Sequence, residues 1–378
     1  MTISMSSEFT STVLMNYYLT VEGLKTINEN PLPREGSKDT LQIRCVIDGI
    51  PYRSSSAYLS SYVTEERFLR QVSGSFVANL SLASIHTVSL QWKKLGSQMS
   101  QWRIALNEQD RPLGYSLSAM ADHLHLWYRE ETTNAMLSVN NVWRPLSEVV
   151  PFTMSVEKAV VLGYSVVVQP QLKGFVLDRE SEYVMARIVV DGVPYQEGSD
   201  TFSTVAWAPS AGVLQGMTQL VMSAGKHTYQ LQWRKVGDSF DSWGSNPSFL
   251  DGFASSRNLY VLDPRMVSTS FDDHHQPSMI LTDDGQWTTV NNNVITFNLI
   301  KESAVLLTYS LPVTQYGNPN LDANVWRGLS SMRARLVVDR LPYTLYASQV
   351  AATSRIAADA TGEGHCHYIP TDSGSLTD

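Results

Sequence analysis

The sequence predicts an all-β protein built from tandem jelly-roll-like β-sandwiches, and three observations carry that prediction. A nine-residue segment occurs three times, as Arg44–Tyr52, Arg187–Tyr195 and Arg335–Tyr343. The steps are 187 − 44 = 143 and 335 − 187 = 148 residues, the size of a domain rather than of a solenoid rung, which runs at roughly 20–50 residues. The apolar runs are short, rich in Val, Ile, Leu, Thr, Tyr and Trp, and bounded by Gly, Asn, Asp, Ser and Pro, which is how strands read. Between them there is no long stretch of helical period.

The elements recur in a fixed order. Trp143…Phe152-Thr153-Met154 opens a unit, and Trp287…Phe297-Asn298-Leu299 opens another. Next comes an apolar strand ending in tyrosine: Val13–Tyr17, Val160–Tyr164 and Val305–Tyr309. The nine-residue segment follows. Its Asp-Gly-Val-Pro core is turn chemistry, because Asp and Gly tolerate positive φ and Pro presets its own. Last is His86–Gly96, matched by His227–Gly237 at an offset of 141, with Trp102 and Trp243 keeping the same offset. Thr228–Trp233 alternates polar and apolar residues, as a strand with one buried face does. A short helix is expected at Glu65–Arg70, in the loop between the recurring strands.

The expected boundaries are a sandwich at 1–135 lacking its opening strand, a complete sandwich at 136–266, a linker at 267–282, and a partial third unit with its tail at 283–378. An incomplete sandwich leaves an unpaired edge and an open core. The C-terminal segment is therefore expected to complement the first unit, within the chain or in a neighbouring molecule.

Strand order within the unit resembles the jelly-roll family of complement-type globular heads and tumour necrosis factor. The residues that carry the likeness are Trp143…Phe152, the Tyr-Ser-Val strand at Tyr164, the Val-Asp-Gly turn and the His-Thr-Val-x-Leu-Gln-Trp strand. The resemblance covers each repeat at the level of strand order and implies fold, not function.

Composition bounds the partners. The net charge of −8 and the lack of a Lys/Arg stripe argue against nucleic acid, since phosphate binding needs a basic face. Arg333 and Arg335 read as a solvated strand face. No run approaches the ~18 apolar residues of a membrane-spanning helix, so no membrane insertion is expected. Two cysteines, Cys45 and Cys366, are no disulfide framework, and Cys45 reads as a small core residue. With no evident export signal, a cytoplasmic, organellar (plastid) or virion setting is expected.

Candidate chemistry is sparse. Asp48, Asp191 and Asp339 read as turn residues capping their own backbone, with calcium ligation as the alternative. His86 and His227 read as hydrogen-bonding a neighbouring loop. Trp92 and Trp233 read as packing residues, with a sugar platform as the alternative. Trp102, Trp127, Trp207 and Trp243 are expected nearer loops, as a ligand or partner surface. Asp272-Asp273-His274-His275 and His365-Cys366-His367 read as solvated linker and tail rather than metal sites. Asn79-Leu80-Ser81 is a formal glycosylation sequon on an expected strand. No nucleophile elbow, phosphate loop, zinc-protease helix or dinucleotide fingerprint is present, and no cofactor is expected.

Duplicated packing residues without a duplicated catalytic constellation point to a non-enzymatic, self-assembling shell, capsid or lattice protein whose partner is itself. In outline the chain is similar to the diatom pyrenoid-shell proteins and to viral coat proteins. A carbohydrate- or receptor-binding module is the alternative.

Overall fold

The computed structural model describes residues 2–6, 12–24, 38–62, 67–81, 85–96, 101–105, 115–120, 125–171, 182–195, 204–207, 212–237, 240–245 and 255–263, with short strands between 306 and 377. For residues 2–6, 38–39, 60–62, 67–71, 115–116, 125, 204–207 and those past 263 the description is of backbone. The described chain is all-β, in antiparallel sheets.

The first unit contains β1 (Thr2–Ser6), β2 (Thr12–Leu24), β3 (Lys38–Ile47), β4 (Ile50–Pro51), β5 (Ala57–Tyr62), β6 (Arg67–Asn79), β7 (Ile85–Leu95), β8 (Gln101–Ile104) and β9 (Tyr115–Met120). One sheet runs β1-β7-β3, with β4 and β5 sharing the outer edge of β3; the other runs β6-β2, with β8 and β9 sharing the far edge of β2. The core between them is built from Val13, Met15, Tyr17, Val21, Leu41, Ile43, Cys45, Phe76 and Val88.

The second unit contains β10 (His125–Glu131), β11 (Ala135–Leu137), β12 (Arg144–Pro145), β13 (Val150–Met154), β14 (Lys158–Gln171), β15 (Tyr183–Val190), β16 (Val193–Pro194), β17 (Thr204–Trp207), β18 (Gly212–Met222), β19 (Gly225–Val236), β20 (Ser242–Ser245) and β21 (Arg257–Asp263). Its pairings follow the same plan. β19 lies between β15 and the β12–β13 pair, and β14 lies between β18 and the β20–β21 pair. Three strands go beyond the described strands of that plan: β10 extends the sheet past β21, β11 extends it past β20, and β12 pairs with β19 beside β13. The core holds Phe152, Leu162, Tyr164, Ile188, Leu231, Trp233 and Trp243.

The two units pack back to back. β2 is buried from Val13 to Gly23, β14 from Leu162 to Val168, and β21 along its whole length. A strand buried on every residue has both faces covered. Leu14 and Val77 from the first unit meet Tyr260 and Leu262 from the second, and Val167 joins the first unit's own core. The order of layers is therefore outer sheet, inner sheet, inner sheet, outer sheet.

Past the second unit, β22 (Leu306–Ser310) pairs with β29 (Ser373–Thr377), and β23 (Val313–Gln315) with β28 (His367–Ile369). β24 (Ser330–Ala334) pairs with β27 (Gln349–Ser354), and β25 (Val337–Val338) with β26 (Leu341–Pro342). The expected linker 267–282 lies outside the described residues, as do Asp339, Arg335, Asp272–His275, His365 and Cys366.

Three expectations are corrected. Arg67–Arg70 begins strand β6 rather than a helix, held by thirteen ladder pairs between β6 and β2; the tertiary ladder overrides local helix propensity. The first unit does have an opening strand. β1 pairs with β7 through Ile3↔Val88 and Met5↔His86, as β13 pairs with β19 through Val150↔Tyr229 and Phe152↔His227. Met5 stands where the second unit has Phe152, so the aromatic cue of an opening strand is absent from the sequence there. Finally, β10 falls within 1–135 but belongs to the second unit's sheet through β21.

Candidate functional site

The recurring Asp and His converge. Asp48 and Gly49 have φ of 51° and 80°, and Asp191 and Gly192 have 51° and 81°, so each hairpin closes on a two-residue turn with both central residues left-handed. One carboxylate oxygen accepts the backbone N–H of Thr87 at 2.8 Å, or of Thr228 at 2.7 Å. The other meets the Nδ1 of His86 at 2.7 Å, or of His227 at 2.8 Å. Each imidazole Nε2 faces a carbonyl, that of Ser81 at 2.9 Å or Ser223 at 3.0 Å. A ring with an acceptor at both nitrogens is satisfied only when doubly protonated. The bond to Asp48 raises the His86 pKa and the bond to Asp191 raises that of His227. The bond from His86 lowers Asp48; at Asp191 burial opposes, but the bonds from His227 and Thr228 together lower it. The turn aspartates thus bind the start of the neighbouring strand, β7 or β19, rather than their own backbone, and each is the acidic partner of a recurring histidine.

The tryptophans divide differently from the sequence reading. Trp243 lies on β20, fully buried, its indole N–H donating to Glu182 Oε1 at 2.9 Å. This corrects its expected place on a loop-side surface. Trp127 is half-buried on β10, its ring 5.8 Å from that of Phe152, and Trp102 is half-buried on β8 against the first core. Trp207 lies on β17, where only backbone is described. Trp233 is buried at 1 % exposure, whereas Trp92, at the matching place on β7, is 45 % exposed. Packing therefore holds for Trp233, while Trp92 presents nearly half its surface.

Three arrangements were not read from the sequence. Trp143 lies between two guanidinium groups, Arg187 at 4.2 Å and Arg234 at 4.8 Å from its ring centroid, a cation–π sandwich. Arg187 also donates twice to Gln232 Oε1, and Arg44 does the same to Gln91. Glu182, wholly buried, accepts from Phe240 N–H at 2.7 Å and lies 3.3 Å from Lys235 Nζ. Burial raises its pKa against the opposing pull of these donors. Arg257, also buried, bonds Glu131 at 2.5 Å and Thr133 O at 2.7 Å. The repeated Arg and Gln offered a signal for the first arrangement; the others join residues tens of positions apart.

Burial drives the Cys45 thiol far up, which makes it a poor nucleophile. Among the described residues no group of three or more His, Cys, Asp or Glu could hold a metal ion, and no helix is long and apolar enough to cross a membrane. Asn79 ends β6, exposed, with its amide donating to Tyr128 Oη. Tyr17, Ser54, Ser75, Ser256 and Asn258 line a cavity of about 10 Å³ between the units, room for one water.

No protein-family description and no curated protein sequence matches the chain. Solved structures that it matches include the infectious bursal disease virus VP2 subviral particle, at 9% identity over 69% of this chain and 70% of that one, TM-score 0.25. Infectious bursal disease virus Gx strain matches at 11% identity over 69% and 75%, TM-score 0.21.

Proposed function

We propose that this is a structural, non-enzymatic protein that associates with copies of itself into a shell, capsid or lattice, in part by strand complementation. The observation that carries the reading is a pair of exposed aliphatic residues at matching positions. Ile50 is 72 % and Val193 is 53 % exposed, each directly after an Asp-Gly turn, with 193 − 50 = 143 residues between them. Each turn is held rigid by its Asp–His pair, so each apolar knob is presented in one conformation. Two like knobs per chain offer two like contacts, from which a repeating homomeric assembly can be built.

The polar residues that recur are already engaged in structure. Asp and His hold the turns, and Arg and Gln pair on the outer sheets. That use supports a scaffold over an enzyme. Recognition of carbohydrate or a receptor through aromatics is weakened by the burial of Trp243 and the packing of Trp102 and Trp127. The protein therefore fits shell and coat proteins as a class, with the diatom pyrenoid-shell and viral coat proteins as examples in outline.

Negative-stain imaging and sedimentation of the purified chain test this. Tubes, sheets or shells are expected, and Ile50→Asp with Val193→Asp should disperse them while leaving the β-sheet circular dichroism unchanged. Monomers at every concentration in the wild type would end the proposal.

A further inference from the structure

Both Asp–His pairs lie at the same end of the molecule, among exposed aliphatic side chains. In the second unit that end is marked by the pairs Met154↔Gly225 and Lys158↔Met222, and Asp191 donates its N–H there to Thr228 O. Val156, Val193 and Val221 are exposed on it. At the corresponding end of the first unit Asp48 donates its N–H to Thr87 O, and Ile50 and Ile85 are exposed. β2 starts at this end, where Thr12 pairs with Asn79, as β14 starts at Lys158.

The two ends face the same way. Leu14, early on β2, and Val161, early on β14, share one apolar cluster. Further along each strand, Tyr17 and Ser165 line one cavity. The two strands therefore run in the same direction across the seam.

Each imidazole ties together two segments that lead to these aliphatic residues. Nδ1 holds the carboxylate of the hairpin that presents Ile50 or Val193, and Nε2 holds the carbonyl of Ser81 or Ser223. Ser81 precedes Ile85 in the chain, and Ser223 follows Val221. Both contacts need a ring with two N–H groups, and a neutral ring has one. The proton stays on the nitrogen that faces the carboxylate, the stronger of the two bonds. The carbonyl is then left against a bare lone pair.

Among the described residues Asp48 is the charged group that acts on the His86 ring, and Asp191 on that of His227. The strands beside the rings, β1 and β13, hold no titratable residue. What meets His227 from β13 is the Phe152 ring, 5.4 Å away. Lys226, next to His227 on β19, is exposed where His227 is buried, so it lies on the opposite face.

With self-association as proposed above, we infer that His86 and His227 act together as its alkaline release. Loss of their protons frees the Ser81 and Ser223 carbonyls and loosens the apolar end that copies of the chain share. The bond to each Asp raises the pKa of its histidine, so both latches are closed below 6.5 and open as pH rises through the higher folded value. A contact made by the closed form weakens with the closed fraction, about tenfold per latch for each pH unit above the midpoint.

Sedimentation of the full chain across pH at constant salt tests this, together with amide exchange corrected for its intrinsic pH dependence. Assembly should be lost, and protection across Asp191–Tyr195 and Val221–His227 should fall, at one shared midpoint above pH 6.5. Asp48→Asn with Asp191→Asn, checked for unchanged β-sheet circular dichroism, should move both midpoints down toward 6.5. Assembly that persists at alkaline pH overturns the release and leaves self-association standing. Loss of assembly at a midpoint that the Asn pair does not move does the same. If that variant does not fold, wild-type protection that stays flat while assembly is lost overturns the release by itself. A wild-type chain that is monomeric at every pH sinks self-association, and the release with it.

Discussion

At the scale of single residues, the Asp–His pairs make a pH-dependent latch on each hairpin. The histidine pKa is raised from 6.5, so its contribution to stability is complete below 6.5 and is lost as pH rises through the higher folded value. The aspartate pKa is lowered from 3.8, so its contribution is present above 3.8 and lost as pH falls through the folded value. Both terms are therefore fully in place between about pH 4 and pH 6.5. The Asp48 and Asp191 side chains are 45% and 46% exposed, so solvent screens much of this energy. Asp48→Asn or Asp191→Asn should move the titration midpoint of its own histidine down toward 6.5, read by imidazole NMR, and leave the other histidine in place. A midpoint that stays put would show that the carboxylate does not charge the ring. Recurrence of both residues was plain in the sequence. Their pairing was not, because 38 and 36 positions separate them and only the β3–β7 and β15–β19 ladders bring them together.

At the scale of elements, the inner strands depend on tyrosines laid across glycines. A Cβ on Gly74 would come within 2.6 Å of the Tyr17 ring, one on Gly216 within 2.6 Å of the Tyr164 ring, and one on Gly163 within 2.2 Å of the Tyr260 ring. In each case the glycine is the tyrosine's ladder partner or lies beside it on the neighbouring strand. Each ring fills the space that the missing side chain leaves, and buries apolar area over an otherwise bare stretch of backbone. Gly163→Ala should therefore overpack the seam and cost about 1–3 kcal/mol, measured as a lower urea midpoint at unchanged slope. Stability equal to wild type would show that Tyr260 has room to move. Trp233→Ala should cost more, about 3–5 kcal/mol, as expected for a fully buried aromatic. The strands themselves were legible from composition and turn residues. Arg67–Arg70 was not, since charged residues on a strand that gains its order from thirteen cross-strand partners give no local sign of it.

At the scale of the whole molecule, the two sandwiches are joined through their inner sheets. Around the apolar patch runs a polar seam: Gln215 Nε2 donates to Ser75 Oγ, which donates to Asn16 Oδ1, both at 2.6 Å, and Asn258 Nδ2 donates to Ser54 O at 3.0 Å. Buried polar groups joined in this way fix the register between sheets that apolar contact alone would leave free. The units should consequently unfold together. Leu14→Ala should cost about 2–5 kcal/mol and lower a single calorimetric transition. Two separate transitions in the wild type would show that the seam does not couple the units. No sequence pattern announced this contact, because the residues in it belong to strands that already read as buried.

The sequence by itself determined the class of fold, the strand content and the placing of the Asp-Gly turns, because strand alternation and turn chemistry are local properties of a few neighbouring residues. The tertiary structure decided which recurring residues meet, which tryptophans are covered, that Ile3 and Met5 lie in an opening strand, and that two sandwiches share a buried face. Those outcomes depend on ladder register and on sheets stacking across more than a hundred positions, where identical side chains such as Trp92 and Trp233 acquire different surroundings.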